Sequence, residues 1–213
     1  VRTGIFGGTF DPPHIGHLIV AQDAALALEL DLVLFVPAAD PPHKRGVPVT
    51  AAALRLRMLE LAVAGDPRFR IEPLELDRPG PSWTVDTLRA LAAREPDTRW
   101  SLLLGMDQFV DFASWREADV IRSLAGLAVL GRGGAGAAAG GGRDLVRPLG
   151  PGAVEVAVPR IDISSTMIRE RVAAGRPIRY LVPGAVERFI FENGLYAGPA
   201  PDGRGTIGHH SIR

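Results

Sequence analysis

No cysteine occurs among the 213 residues. That excludes a disulfide framework, a thiolate nucleophile and a zinc site built on Cys ligands. An excess of charge of one sign is missing too, since Lys plus Arg and Asp plus Glu each number 24. A chain without net charge has no electrostatic footprint for duplex nucleic acid or an anionic membrane, so neither is an expected partner. No apolar run approaches the roughly 18 residues that would span a bilayer. Nor is there a basic-then-apolar leader pattern: the N-terminus enters a strand directly, and a cytoplasmic location is expected. What is present is a globular composition, 46% apolar, in a length that suits a domain with a sizeable core.

The chain is organised around Gly4 to His17, Gly-Ile-Phe-Gly-Gly-Thr-Phe-Asp-Pro-Pro-His-Ile-Gly-His. Arg2 to Phe6 reads as a first strand and Ile15 to Leu30 as a helix, with Ile15, Leu18, Ile19, Ala25 and Leu26 keeping a helical period. Gly7 and Gly8 lie in the turn between them, where a missing Cβ lets backbone lie against a ligand. Pro12 and Pro13 stiffen the loop. His14 falls at the helix start and His17 one turn on, on the same face. Free N–H groups and the positive end of the helix dipole make such a junction a phosphate site. A surface histidine pair or half of a metal site is the plainer alternative. With five His and no Cys, a protein-held metal is not expected.

At these residues the sequence resembles the His-x-Gly-His nucleotidyltransferases, and Gly7-Gly8-Thr9-Phe10-Asp11-Pro12 followed by His14-Ile15-Gly16-His17 resembles the bacterial nicotinate-nucleotide adenylyltransferase family in particular. The implied fold is α/β: a Rossmann-like, doubly wound parallel sheet with helices on both faces and a small helical C-terminal part at about 164–196. The alternation of strands and helices supports this independently. Strands are read at Leu32 to Val36, Phe69 to Pro73, Arg99 to Leu104, Leu127 to Leu130 and Ala153 to Val158. Helices are read at Ala51 to Val63, capped by Thr50; at 84–93, capped by Ser82 or Thr84; from the Ser164 region to Ala174; and at Ala185 to Asn193. Residues 1–196 form the nucleotidyltransferase domain, and 197–213 read as a tail.

The remaining site residues lie at strand ends. Lys44, in the proline-rich loop after Val36, can reach a phosphate as a mobile point charge, and the resemblance assigns it to the triphosphate. Thr84 is a cap by residue type; the resemblance sets its segment beside a pyridine pocket. Gly105 permits close backbone approach, and Asp107 can accept from ribose hydroxyls or cap the next helix. Phe109, Phe112 and Trp115 read as core aromatics, but the resemblance stacks Trp115 on a nicotinate ring. It also places Arg132 near the substrate. The Gly/Ala-rich stretch 133–142 reads as a flexible loop. Ile163-Ser164-Ser165-Thr166-Met167-Ile168-Arg169 opens a helix; one hydroxyl caps it, the others offer a second anion site, and Arg169 can fork a phosphate. The resemblance identifies this run as the family's second signature.

The implied reaction is AMP transfer from ATP to nicotinate mononucleotide, giving deamido-NAD and pyrophosphate. His14, His17, Lys44 and Arg169 carry the catalysis. Gly7, Gly8, Thr9, Phe10, Gly16, Ser164, Ser165 and Thr166 hold ATP, while Thr84, Gly105, Asp107, Trp115 and Arg132 hold the mononucleotide. Mg²⁺ arrives with ATP, held by phosphates and water. No Lys or Arg is evidently aimed at the ring carboxylate; backbone N–H groups near Thr84 and Trp115 could hold it. The alternatives are adenylyl transfer to nicotinamide mononucleotide or phosphopantetheine, and a non-catalytic nucleotide sensor. A class I aminoacyl-tRNA synthetase shares the His-Ile-Gly-His signature but needs an anticodon-reading region. The chain is expected to be a monomer or homodimer.

Overall fold

Apolar runs at Leu32–Pro37 and Arg99–Gly105 supply the central strands, because a parallel strand buried on both faces needs no polar alternation. The computed structural model describes residues 1–39, 49–78, 80–132 and 145–198, with the Arg132 side chain excepted. Lys44, the 133–142 stretch and the tail from 199 lie outside them. In chain order the elements are β1 (Arg2–Gly8), α1 (Ile15–Ala27), β2 (Leu32–Pro37), α2 (Ala52–Val63), β3 (Phe69–Ile71), α3 (Thr84–Arg94) and β4 (Arg99–Gly105). Then follow α4 (Met106–Val110), α5 (Ala118–Leu124), β5 (Gly126–Arg132), β6 (Val146–Gly150), β7 (Ala153–Val158), α6 (Ser165–Ala173) and α7 (Gly184–Glu192).

The strands form one sheet in the order β3-β2-β1-β4-β5-β7-β6. Every pairing is parallel except β6 with β7. The chain winds outward from β1 to β3, then crosses back to β4 beside β1. Such a reversal opens a crevice at the carboxyl ends of the two strands. Gly7 and Gly8 end β1 there, and Gly105 ends β4.

Side-chain alternation divides the core. Val33, Phe35, Leu103 and Leu130 face one way, against Ala21, Ala24 and Ala25 of α1. Leu34, Val36, Leu102 and Leu104 face the other, against Val85, Leu88 and Leu91 of α3 and Ile121 of α5. A third cluster joins Met58 of α2 to Ile168 and Val172 of α6, Ile178, and Val186 and Ile190 of α7. The helical C-terminal part is therefore fastened to α2.

Several expectations change in detail. Helix α1 stops at Ala27, three residues early, and Leu26 is 62% exposed; alanines, small enough to lie on the sheet, form its buried face. Thr50 does not cap α2, whose cap position is Ala51; instead its N–H donates to Asp11. Neither Ser82 nor Thr84 caps α3, which has Trp83 at the cap position; the Ser82 hydroxyl accepts from the Ala39 N–H. Helix α5 was not expected, being only two turns long. Nor was β6, whose Pro148 argues against a strand but is tolerated at a sheet edge, where β6 lies mostly exposed.

Two buried charged residues tie the loops above the crevice together. Arg55 of α2, 1% exposed, donates from Nε to Thr50 O at 2.8 Å. Its Nη1 donates to Thr9 O at 2.9 Å and Ala38 O at 2.8 Å. Asp11, 3% exposed, accepts at Oδ2 from Thr50 N–H (3.1 Å) and at Oδ1 from the Tyr196 hydroxyl (2.6 Å). Burial lowers the Arg55 guanidinium from its usual value, and the charge of Asp11 works against that shift. Tyr196→Phe removes a donor from a buried carboxylate and is expected to cost about 1–3 kcal/mol in urea unfolding, since a hydrogen bond to a charged group is lost. An unchanged urea midpoint would contradict the bond's importance.

Candidate active site

The β1–α1 junction places the two histidines as expected. His14 is the cap residue of α1, and His17 stands one turn on. Their rings stack at 3.7 Å between centroids with 20° between planes. His17 Nδ1 accepts from the His14 backbone N–H at 3.1 Å. Phe10, at φ 49° and 2% exposed, lies edge-on to His17 at 5.1 Å. Its ring therefore props the histidine, leaving only its backbone for a nucleotide.

The three glycines here have separate roles. A Cβ on Gly8 would come within 2.9 Å of the Phe10 ring, and one on Gly16 within 3.0 Å of His14 Nδ1. Both keep room for the aromatic side chains that set the histidines. A Cβ on Gly7 would meet nothing within 4 Å among the described residues. Gly7 is exposed and lines the cavity, so there bare backbone faces ligand space.

The second signature, about 150 residues later in the sequence, meets the first. Arg169 Nη1 donates to Asp11 O at 2.7 Å, and Ser165 Oγ donates to Pro12 O at 2.8 Å. Ile15 N–H donates to Leu181 O at 3.0 Å. Ser164 caps α6, its hydroxyl accepting from Met167 N–H at 3.1 Å. Thr166 Oγ1 accepts from Arg169 Nη2 at 3.2 Å. The three hydroxyls thus divide into a cap, a loop anchor and a prop for the guanidinium. What Ser165 offers an anion is its first-turn N–H, since its hydroxyl proton is engaged by Pro12.

A cavity of ≈ 390 Å³ opens from Gly7, Gly8 and Thr9 toward α3 and α4. Thr84, Asp107 and Trp115 line it, three of the five residues expected for the acceptor. Asp107 sits in the first turn of α4, whose cap position is Gly105, so of its two readings the cap falls away. Gly105 does not line the cavity; its N–H is bonded to Gln108 Oε1 at 3.0 Å, and an added Cβ would make only ordinary contact. Arg132 ends β5 beside Val158, its side chain outside the described residues, as is the whole of Lys44.

The sequence reading missed part of the wall. Glu75, 9% exposed, lines the cavity and accepts from Thr87 Oγ1 at 2.7 Å. Burial pushes its carboxyl up, against the hydrogen bonds from Thr87 and Ser82 and the charge of Arg78. Gln108, Asp111 and Arg116 line it as well, while Trp83 lies in the segment that the resemblance set beside the pocket. Arg116 adjoins Trp115, a residue singled out for the pocket. Arg55 had a readable signal: a cation on the same helical face as Met58, Leu59 and Ala62. Among the described residues, no three His, Asp or Glu gather as a metal site, and no helix is long and apolar enough to cross a membrane.

Comparison with known proteins shows the family to which the chain belongs. The cytidylyltransferase-like family model matches residues 5–171. A protein of Geobacillus thermodenitrificans described as a probable nicotinate-nucleotide adenylyltransferase is 46% identical over 195 residues, 92% of this chain and 86% of its own. One of Thermus thermophilus, described in the same words, is 46% identical over 199 residues, 92% of this chain and all of its own length (100%). Among solved structures, the Plasmodium falciparum nicotinic acid mononucleotide adenylyltransferase complexed with NaAD superposes with a TM-score of 0.72 at 19% identity, over 92% of this chain and 97% of that one. A Vibrio parahaemolyticus structure gives 0.66 at 20% identity, over 92% and 94%. At such identities these two speak for the fold alone.

His14 links the site to pH. It is 7% exposed, its Nδ1 is buried without a hydrogen-bond partner among the described residues, and desolvation lowers it from the usual 6.5 to about 4. Between those values the unfolded chain binds a proton that the folded chain refuses. His14 therefore makes stability fall as pH drops from about 6.5 to about 4, by up to roughly 3 kcal/mol. In a His14→Asn variant, urea unfolding across that window should show a shallower loss than in the parent. An equally steep loss would mean that His14 titrates normally.

Proposed function

The chain belongs to the nicotinate-nucleotide adenylyltransferases of the cytidylyltransferase-like family, and from that premise we infer that it transfers AMP from ATP to nicotinate mononucleotide. The products are deamido-NAD and pyrophosphate, and the reaction belongs to NAD biosynthesis. The observation that carries the reading is the meeting of two anion-directed helix starts, at His14 and at Ser164, beside a cavity with an aromatic wall. One part suits a triphosphate, the other a pyridine nucleotide.

The acceptor's 5′-phosphate is already a nucleophile at neutral pH. One of its oxygens forms a bond to the α-phosphorus of ATP as the bond to the pyrophosphate oxygen breaks. No general base is required, so the protein must align two polyanions and stabilise charge on the transferring group. In this reading His14 and His17 contact the α- and β-phosphates. Neutral before substrate arrives, His14 becomes more basic beside phosphate charge. Arg169, held to Asp11 and Thr166, and Lys44 neutralise the triphosphate. The N–H groups of Gly16, Ser165 and Thr166 add donors. Asp107 accepts from ribose hydroxyls, and Trp115 stacks on the pyridine ring beside Thr84. Mg²⁺ enters on the ATP phosphates and lowers their charge. A cytoplasmic location goes with this reading.

Pyrophosphate release tests the reaction. The protein is incubated with ATP, Mg²⁺ and, in separate arms, nicotinate mononucleotide, nicotinamide mononucleotide or phosphopantetheine. Turnover is expected with the first. Release with phosphopantetheine alone would assign the acceptor differently, and no release in any arm would favour a nucleotide sensor. His17→Ala is expected to lower kcat by about two decades or more, the scale lost with a preorganised donor to transition-state charge, with little loss of fold by circular dichroism. A near-normal rate would remove His17 from the chemistry.

A further inference from the structure

Among the described residues Arg116 is the one cation on the cavity wall, and this reaction leaves it without a task. Among the described residues, the charged side chains lining the cavity are Glu75, Asp107, Asp111 and Arg116. Three are acids and one is a base. A substrate carrying a ring carboxylate brings a further negative charge among acids, whereas the matching amide does not. We propose that Arg116 pairs with the ring carboxylate of the acceptor and so sets the preference for acid over amide. The proposal rests on a pyridine mononucleotide being the acceptor.

The surroundings of Arg116 fit such a role. Its guanidinium carbon lies 5.5 Å from the Trp83 ring centroid, and both residues line the cavity together with Trp115. A planar guanidinium over an aromatic face keeps its donor edge free for a carboxylate, which it matches in a two-pronged fork. The competing acid, Glu117, is already engaged. Arg89 donates to it from Nη2 at 2.5 Å and from Nη1 at 3.1 Å, while Arg116 Nε stands 3.8 Å away. The other arginine nearby, Arg78, is turned to Thr87 Oγ1 at 3.2 Å and does not line the cavity. Beyond Arg116 the backbone turns sharply into α5, with Glu117 in the left-handed region at φ 54°. A non-glycine residue held there stores strain, as is common where the chain must present a side chain to a site.

Steady-state kinetics on the full chain, with saturating ATP and Mg²⁺, tests the assignment. The parent, Arg116→Gln and Arg116→Lys are each measured with nicotinate and nicotinamide mononucleotides. Loss of a half-exposed charged pair is expected to raise KM for the acid by about ten-fold, with kcat changed by less than about three-fold. The acid-to-amide ratio of kcat/KM should fall by about the same ten-fold factor, and Arg116→Lys should restore part of it. An equal loss on both substrates would show a merely structural contact with Trp83 and overturn the proposal. So would an unmoved KM for the acid. A parent inactive with both mononucleotides would instead overturn the acceptor assignment on which the proposal stands.

Discussion

A single buried cation holds the site's loops in place. Arg55 donates to the carbonyls of Thr9, in the β1–α1 connection, and of Ala38 and Thr50, at the two ends of the β2–α2 connection. Those carbonyls lie where strand geometry has ended, so no sheet ladder satisfies them, and buried polar groups without partners are costly. Asp11 complements this from the other side, accepting from Thr50 and Tyr196 while its own carbonyl takes Arg169. The first signature, the start of α2 and the second signature therefore share one polar network. A buried guanidinium is costly to desolvate, and well-formed hydrogen bonds offset that cost.

The network also explains how residues far apart in sequence come to lie together. The histidines are oriented by packing that serves no ligand directly: Phe10 beside His17, and the bare Gly16 beneath His14. Arg169 is held at Asp11 O and Thr166, which fixes the direction of its remaining donors. Preorganisation of this kind is what a reaction without acid–base chemistry needs, because alignment and charge placement are the main contributions left for the protein to make.

The sequence was most legible where chemistry and periodicity coincide. The strand–glycine–histidine junction, a hydroxyl cap within Ser164 to Thr166 and the inward face of α3 could be read because glycine, imidazole and hydroxyl have few other reasons to occur in that order. The parallel order followed from strands and helices alternating. Less was legible where tertiary partners decide. Leu26 fits the helical period yet faces solvent, since the sheet takes alanines beneath α1. Thr50, Ser82 and Thr84 look like caps by type, but Thr50 and Ser82 are drawn into contacts 39 and 43 residues away. Glu75 carries no local mark of a pocket, and Arg116 only its place beside Trp115. Their meaning comes from α3 and α4 folding around one crevice.

The outer strands have a bearing on solubility. A sheet stops growing only where its last strand refuses another. On one side that strand is β3, only three residues long. On the other it is β6, where Pro148 lacks the N–H a neighbour would need and the register slips before Gly150. Neither border gives a second polypeptide a continuous row of donors and acceptors. This sheet is finished at both ends, a safeguard against fibrous association in a chain that carries no net charge to keep its copies apart.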